Sequence, residues 1–160
     1  MKNLSVSLVR ADIKDCQLIY DMQVESFKDL LDKYRDYETN PAAEPLERTE
    51  ERMLLDFVDY YLICLGDKKV GALRVVRLDD HICRLGLIFI LPKYQEKGYA
   101  KQSISKVEML YPTAKKWELM TIKQEANLCC FYETMGYKFT GEETWIQDNM
   151  TIIGYSKGVI

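Results

Sequence analysis

A loop between two strongly patterned segments is the part of the sequence best suited to chemistry. It comprises Gln95–Ala100, with the sequence QEKGYA, and follows an apolar run, Leu85–Leu91, that Pro92 ends. The run predicts a strand buried on both faces, because a membrane span needs roughly 20 residues. An amphipathic helix is predicted directly after the loop. Because amides at a helix N-terminus bind anions, the sequence predicts an anion site here, with Lys97 as a cation at its mouth.

The single glycine of this loop, Gly98, distinguishes it from two common phosphate-binding loops. A dinucleotide fingerprint needs three glycines at set spacing, and a Walker A loop needs Gly-Lys followed by Ser or Thr. Neither pattern is present. The hexamer alone is therefore compatible with an ordinary strand-to-helix turn and with a phosphate-binding turn.

Length and composition limit the class of protein. A chain of 160 residues with 48% hydrophobic and 29% charged residues is expected to form one domain, 1–160. Its net charge of −3 provides no basic field, which argues against nucleic acid and membrane-surface partners. Residues 1–10 lack the pattern of a signal peptide, so a cytoplasmic protein is expected.

Cysteine and histidine usage argues against a metal centre. The chain contains five cysteines and one histidine, and it has no Cys-x-x-Cys motif. No metal site is predicted, and most thiols are interpreted as small apolar residues in a reducing compartment. A redox role for Cys129 and Cys130 is left open.

Hydrophobic periodicity predicts the elements that position the loop. The predicted strands are 4–9, 60–65, 70–78, a long strand that follows a turn at 79–81 and ends at 91, 117–122, 137–146 and 150–156. The predicted helices are 12–34, with Asp12 as its N-cap and a bend near Ser26 as an alternative, 46–56, 100–110, and 126–135, which Gly136 ends. The order is β-α-α-β-β-β-α-β-α-β-β, in which only the strand–helix–strand around 85–122 requires a parallel crossover. A mixed α/β (α+β) fold follows, with a mostly antiparallel sheet of about seven strands flanked by helices.

The loop and this element order together resemble the GNAT superfamily of N-acetyltransferases along nearly the whole chain. The family's acetyl-CoA signature is Gln/Arg-x-x-Gly-x-Gly/Ala, which Gln95-Glu96-Lys97-Gly98-Tyr99-Ala100 matches. A second segment, Asn127–Tyr137, is similar to the family's late Asn-x-x-Ala-x-x-x-Tyr-x-x-x-Gly-Phe segment. Asn127 and Tyr132 lie five residues apart here, which departs from the family count, and Cys130 stands where a small residue is usual. Two motifs in the family's order, on the expected elements, are more specific than either alone.

The resemblance implies an enzyme that uses acetyl-CoA as cosubstrate. The amine of a small molecule or peptide would attack the thioester directly. The pyrophosphate would lie against the backbone of Gln95, Glu96, Lys97, Gly98, Tyr99 and Ala100. The pantetheine arm would contact the backbone of Ile88, Phe89, Ile90 and Leu91, with one N–H stabilising the oxyanion. Asn127 is a candidate polar contact to this arm, and helix capping is its alternative role.

Proton transfer needs further groups, because an alkyl ammonium has a pKa of about 10.4 and must lose a proton before it attacks. The resemblance implies that Tyr132 donates a proton or a hydrogen bond to the departing thiolate, with simple packing as the alternative. The segment 84–91 has no carboxylate, although many relatives carry a glutamate there as the base. Glu118 is the candidate substitute. A solvent-facing Glu118, a water-mediated base and an acceptor deprotonated in solution are the alternatives.

The acceptor pocket is expected at the early helices, their loop and the last hairpin. Candidate substrate-binding residues are Phe27, Tyr34, Tyr37 and Trp145, whose rings suit an ammonium or an apolar group. From Glu25 to Asp59 there are 11 acidic and five basic residues, which indicates either a solvated helix face or a rim that attracts a cationic amine. The final hairpin offers an edge strand that could pair two copies into a homodimer.

Two other functions are compatible with parts of the pattern. The main alternative is a catalytically weak, CoA-binding regulatory or sensor module with the same fold. The missing strand carboxylate favours it, and Tyr132 disfavours it. A nucleotide-phosphate-binding protein that uses the same loop is disfavoured, because no acidic metal-binding motif lies near Lys97.

Overall fold

The structure is a computed structural model and describes residues 4–159. Within that range the elements follow the predicted order, so the predicted mixed α/β fold is confirmed. The strands are β1 (Ser7–Arg10), β2 (Val58–Leu65), β3 (Lys68–Arg77), β4 (Ile82–Ile90), β5 (Lys116–Ile122), β6 (Lys138–Gln147) and β7 (Met150–Gly158). The α-helices are α1 (Cys16–Tyr34), α2 (Leu46–Met53), α3 (Tyr99–Met109) and α4 (Ala126–Thr134). Short 3-10 turns occur at Ile13–Asp15, Pro41–Ala43 and Pro92–Tyr94.

The strands form a seven-stranded sheet in the order β1-β2-β3-β4-β5-β7-β6. β4 and β5 pair in parallel, as the strand–helix–strand order requires, from Ile82 with Lys116 to Arg84 with Glu118. Antiparallel pairs join β1 to β2, β5 to β7 and β6 to β7. The last hairpin therefore inserts its second strand, β7, beside β5 and leaves β6 at an edge of the sheet.

The chain divides into two compact units. Unit 1 extends to Val75 and resumes over Leu87–Pro112, and unit 2 comprises Val76–Gly86 and continues from Thr113. The behaviour of residues 1–160 as one domain stays a prediction. Among residues 4–159, every helix is too short or too polar to cross a bilayer.

Helix α1 of unit 1 begins after a cap that the sequence predicted. The Asp12 side chain accepts from the Lys14 amide, and Asp15 accepts from the Asp12 amide in return, which forms a capping box on the 3-10 turn before α1. The helix then continues unbroken to Tyr34, so the alternative of two helices with a bend near Ser26 is wrong. Its buried face includes Ile19 and the polar Gln23.

Side-chain bonds hold both ends of helix α3 in unit 1. Near its start, Gln102 Oε1 accepts from the Val6 amide at 2.9 Å. Beyond its end, the Tyr111 hydroxyl donates to Asp59 Oδ2 at 2.6 Å, and Arg10 Nη2 lies 2.7 Å from Asp59 Oδ1. Burial, followed by the hydrogen bond to Asp59, raises the pKa of Tyr111. These contacts fix the helix whose N-terminus follows the motif loop.

Helix α4 of unit 2 ends at a glycine, as the sequence predicted. Gly136 has φ of +96°, and the Tyr137 amide donates to Tyr132 O at 3.1 Å, which closes the last turn. The helix is also tied to β7, because the Tyr155 hydroxyl donates to Glu133 Oε2 at 2.8 Å. Both contacts orient the helix that carries Tyr132.

Candidate functional site

The motif loop is a compact connection between β4 and α3 in unit 1. Tyr94 N donates to Leu91 O at 2.8 Å and Gln95 N donates to Pro92 O at 3.2 Å, which forms the 3-10 turn. The Gln95 side chain turns back and donates from Nε2 to Ile90 O at 2.8 Å. This bond ties the loop to the end of β4, so the Gln95 side chain already has a structural function in the motif.

The amides that follow this turn have no protein acceptor. Among residues 4–159, no oxygen accepts a hydrogen bond from the backbone N–H groups of residues 96–101. The first bonded amide of α3 is that of Gln102, which donates to Gly98 O at 3.1 Å. Glu96 and Gly98 adopt left-handed φ values of 63° and 84°. Consecutive unbonded amides at a helix N-terminus form a concave group of donors suited to an anion.

Gly98 is needed for its backbone conformation and to keep the space beside the loop open, rather than for packing inside the protein. It is the N-cap of α3, and no side chain caps this end of the helix. A Cβ built on Gly98 would meet no protein atom within 4 Å. Any side chain there would instead project into the open space around the loop, while the left-handed φ favours glycine.

The end of β4 packs unusually closely on β3. Leu91 N donates to Val70 O at 2.8 Å, and a Cβ on Gly71 would lie 2.1 Å from Phe89 O and 3.1 Å from Ile90 Cα. Gly71 is therefore required for this close packing, and neither sequence motif includes it. Its signal in the sequence was a lone glycine inside an apolar strand.

Three of the four aromatic substrate-binding candidates lie in unit 1, in different settings. The Phe27 ring contacts the Phe89 ring edge-to-face at 6.0 Å between centroids, which brings α1 to the last residues of β4. Tyr34 is buried, with Lys33 Nζ 5.2 Å from its ring centroid. Tyr37 is 68% exposed, and Trp145, on β6 in unit 2, is 66% exposed.

Tyr132 lies on α4 in unit 2 and is 9% exposed. Its ring packs edge-to-face against the rings of Phe131 at 5.3 Å and Tyr137 at 6.3 Å. Burial raises the pKa of Tyr132 to about 12, and the electrostatic interaction with the Cys129 side chain adds to the effect. The phenol is therefore protonated throughout the physiological range and can act as a hydrogen-bond donor.

Asn127 is exposed in the first turn of α4, whose N-cap is Glu125. The alternative role of Asn127 as a helix cap is therefore wrong. Its contact with a cosubstrate stays a prediction.

Glu118, the candidate base, forms ion pairs within unit 2. Its Oε1 accepts from Arg84 Nε at 3.1 Å and Nη2 at 2.6 Å, and Lys116 Nζ lies 3.8 Å from Oε2. Arg84 and Glu118 are also partners in the parallel pairing of β4 with β5. The carboxylate thus links β4 to β5, a contact that the sequence alone did not indicate. The role of Glu118 as a base stays a prediction.

The profile of one protein family matches most of the chain. It is described as "Acetyltransferase (GNAT) domain" and matches residues 31–158. No curated protein sequence matches the chain.

Solved structures share the fold at low sequence identity. An acetyltransferase from Thermus thermophilus has a TM-score of 0.75 at 15% identity, covering 99% of this chain and 100% of its own. The PaiA N-acetyltransferase of Thermoplasma acidophilum, in complex with coenzyme A, has a TM-score of 0.70 at 15% identity, with coverage of 98% and 100%. The spermidine/spermine N-acetyltransferase SpeG of Vibrio cholerae has a TM-score of 0.69 at 15% identity, with coverage of 95% and 91%.

Proposed function

The chain belongs to the GNAT acetyltransferase family, and from this premise we propose that it transfers the acetyl group of acetyl-CoA to the amine of a small molecule. The observation that carries the proposal is the set of unbonded amides at residues 96–101. They coincide with the family's acetyl-CoA signature and lie at the N-terminus of α3. The coenzyme A complex of the Thermoplasma acidophilum relative supports the same class of cosubstrate.

In the proposed complex, the pyrophosphate of acetyl-CoA accepts hydrogen bonds from these amides. The dipole of α3 and the Lys97 ammonium favour the negative charge. Each hydrogen bond to a charged group contributes about 1.5–3 kcal/mol, so two or three of them account for substantial affinity. The bond from Gln95 to Ile90 O holds the loop in its donor geometry before the ligand binds.

In the proposed reaction, the neutral amine attacks the thioester carbonyl carbon, the C–S bond breaks, and CoA leaves as a thiolate. The nitrogen loses its proton to a base or to water. A thiol has an ordinary pKa of about 8.5. Full proton transfer from Tyr132, whose pKa is about 12, would therefore be uphill by roughly 5 kcal/mol. We therefore assign Tyr132 the role of a hydrogen-bond donor that stabilises the thiolate and keeps its own proton.

A CoA-binding module with weak or no transferase activity is the second candidate. The ion pairs of Glu118 favour it, because the one carboxylate proposed as a base already faces Arg84 and Lys116. The two functions share the cosubstrate site and differ only in turnover.

Two measurements test the proposal. Acetyl-CoA and CoA should each raise the melting temperature of the protein, whereas ATP should not, because only a ligand of the folded state stabilises it. Release of free CoA thiol, measured across a panel of amines, should then reveal turnover. Stabilisation without thiol release from any amine would favour the CoA-binding module, and the absence of stabilisation would refute both functions.

A further inference from the structure

Helix α4 of unit 2 carries two adjacent thiols, and one of them neighbours the Tyr132 phenol. Cys129 and Tyr132 are three residues apart, so their side chains lie on the same side of the helix. Cys130 is rotated from Cys129 by about 100° around the helix axis. The electrostatic interaction with Cys129 is also, after burial, the second cause of the raised pKa of Tyr132. Cys129 is therefore the thiol that lies beside the phenol.

Contacts with the sheet fix the Cys129 side chain. Its Sγ lies 3.6 Å from Ile122 O, at the last residue of β5, and 3.8 Å from Lys123 O, both within reach of a weak S–H donor. Cys129 also hydrogen-bonds to the Tyr155 hydroxyl, which donates to Glu133 Oε2 at 2.8 Å. Because these partners belong to the protein itself, the thiol is held at the end of β5 without a ligand.

The Tyr132 hydroxyl, in contrast, has no protein partner. Tyr132 is 9% exposed, and within the described part of the chain, residues 4–159, no group forms a hydrogen bond with its hydroxyl. A largely buried hydroxyl that lacks a partner is unfavourable, because it has lost most of its contact with water. An acceptor atom from outside the chain would satisfy this donor. The phenol therefore points to a ligand atom next to Cys129.

We propose that Cys129 forms a mixed disulfide with CoA when the protein binds CoA disulfide, and that this adduct blocks acetyl transfer until a reductant removes it. The inference rests on the proposed function, which places the sulfur of CoA at the Tyr132 hydroxyl. A sulfur atom at that hydroxyl lies beside the Cys129 thiol. Cys129 is thus a modification site, and its ligand is a second thiol compound in the disulfide form.

The reaction is a thiol–disulfide exchange, in which CoA disulfide is the oxidant. The Cys129 thiol loses its proton to solvent, and the thiolate attacks the sulfur of the bound half of CoA disulfide. The S–S bond of the reagent breaks, and its other half leaves as a CoA thiolate, which takes up a proton. Cys129 is oxidised to the mixed disulfide, and one molecule of CoA disulfide is reduced to the bound half and one free CoA.

Exposure alone predicts that a different cysteine reacts. Cys130 is exposed, Cys129 is half-buried, and the other three cysteines are buried. A disulfide that meets the protein by random collision should therefore modify Cys130 first. A disulfide that is bound beside Tyr132 should modify Cys129, because binding raises its effective concentration at that thiol. The identity of the modified residue distinguishes the two cases.

The test compares CoA disulfide with glutathione disulfide at equal concentrations, with mass spectrometry as the readout. Because the two thiols are adjacent, Cys130→Ser reports the rate at Cys129, and Cys129→Ser reports the rate at Cys130. CoA disulfide should add the mass of one CoA less two hydrogen atoms, and fragmentation should place it on Cys129 in the wild type. At Cys129 its rate should exceed that of glutathione disulfide by at least about tenfold, because only CoA disulfide is bound at the site. Excess acetyl-CoA should suppress this reaction and leave the rate at Cys130 unchanged.

Activity after removal of the reagent tests the second half of the proposal. The wild type and Cys130→Ser should lose thiol release in proportion to the modified fraction, and dithiothreitol should restore it. Cys129→Ser retains a small side chain that can donate to Ile122 O, and treatment with CoA disulfide should not change its activity. Modification of Cys130 alone, equal rates of the two disulfides at Cys129, or full activity of the Cys129 adduct would overturn the proposal.

The melting temperature in the presence of CoA separates a failure of this inference from a failure of the proposed function. If CoA stabilises the protein and Cys129 is not modified, only the inference is overturned. If CoA does not stabilise the protein and Cys129 shows no preference for CoA disulfide, both are overturned. Selective modification of Cys129 in a protein that acetylates no amine would support the thiol site and refute the transferase reaction.

Discussion

The glycines at positions 98 and 66 allow the cosubstrate site to be tested with a matched pair of substitutions. Both residues have left-handed φ values, 84° and 59°, and a Cβ on either would meet no protein atom within 4 Å. Gly98→Ala and Gly66→Ala should therefore strain the backbone to a similar degree, by about 1–2 kcal/mol. For a chain of 160 residues this corresponds to a fall in melting temperature of about 2–8 °C.

Ligand binding should separate the two variants. At position 98 the added methyl group lies among the unbonded amides of residues 96–101, where it would hold a phosphate away from the backbone. Loss of one charge-assisted hydrogen bond, worth about 1.5–3 kcal/mol, weakens binding by about 10- to 150-fold. Gly98→Glu should weaken it more, because it adds a negative charge. Gly66 is in the turn between β2 and β3, so Gly66→Ala should bind acetyl-CoA as the wild type does.

The assay is the dissociation constant for acetyl-CoA, measured by calorimetry below the melting temperature of each variant. The melting temperature without ligand reports the strain independently. Wild-type affinity in Gly98→Ala and Gly98→Glu would refute the placement of the pyrophosphate at this loop. An equal loss of affinity in Gly66→Ala would show that strain, rather than a blocked site, weakens binding.

Three other substitutions test the roles of particular contacts. Tyr132→Phe should lower kcat by about 10- to 100-fold without weakening acetyl-CoA binding, because it removes one hydrogen bond to a charged leaving group. The pKa of Tyr132 is raised to about 12, so the phenol keeps its proton below that pH. The kcat of the wild type should therefore not fall between pH 6 and about 10 because of Tyr132. A fall in this range that is absent in Tyr132→Phe would contradict the prediction. Gly71→Ala should lower the free energy of unfolding, measured by denaturant titration, by about 1–3 kcal/mol or more, because the added Cβ would overlap Phe89 O. An unchanged free energy of unfolding would contradict this close contact. Glu118→Gln should lower the free energy of unfolding by about 1 kcal/mol or less, as expected for a partly exposed ion pair. The control is Arg84→Met, which removes the other partner of the same ion pair. A loss of kcat in Glu118→Gln that Arg84→Met does not reproduce would support Glu118 as the base, and an equal effect of both would favour a structural role.

The features of this protein that depend on a few neighbouring residues could be predicted from its sequence. The order of strands and helices, the cap at Asp12 and the end of α4 at Gly136 all agree with the structure. Each depends on hydrophobic periodicity or on the backbone preference of one residue, and both act within one or two turns of chain. Boundaries were less accurate. Helix α2 ends at Met53 rather than near residue 56, and β2 begins at Val58 rather than at 60.

Only the tertiary structure decided which side chains meet across long stretches of chain. Gly71 against Phe89, Glu118 bonded to Arg84, and Tyr60 bonded to Arg74 join residues 14 to 34 positions apart. The physical reason is that such contacts depend on strand register and helix packing, which arise from the sum of many weak interactions. Residue spacing therefore predicted a loop that presents donors to an anion, whereas the bonds that engage Glu118 became apparent only in three dimensions.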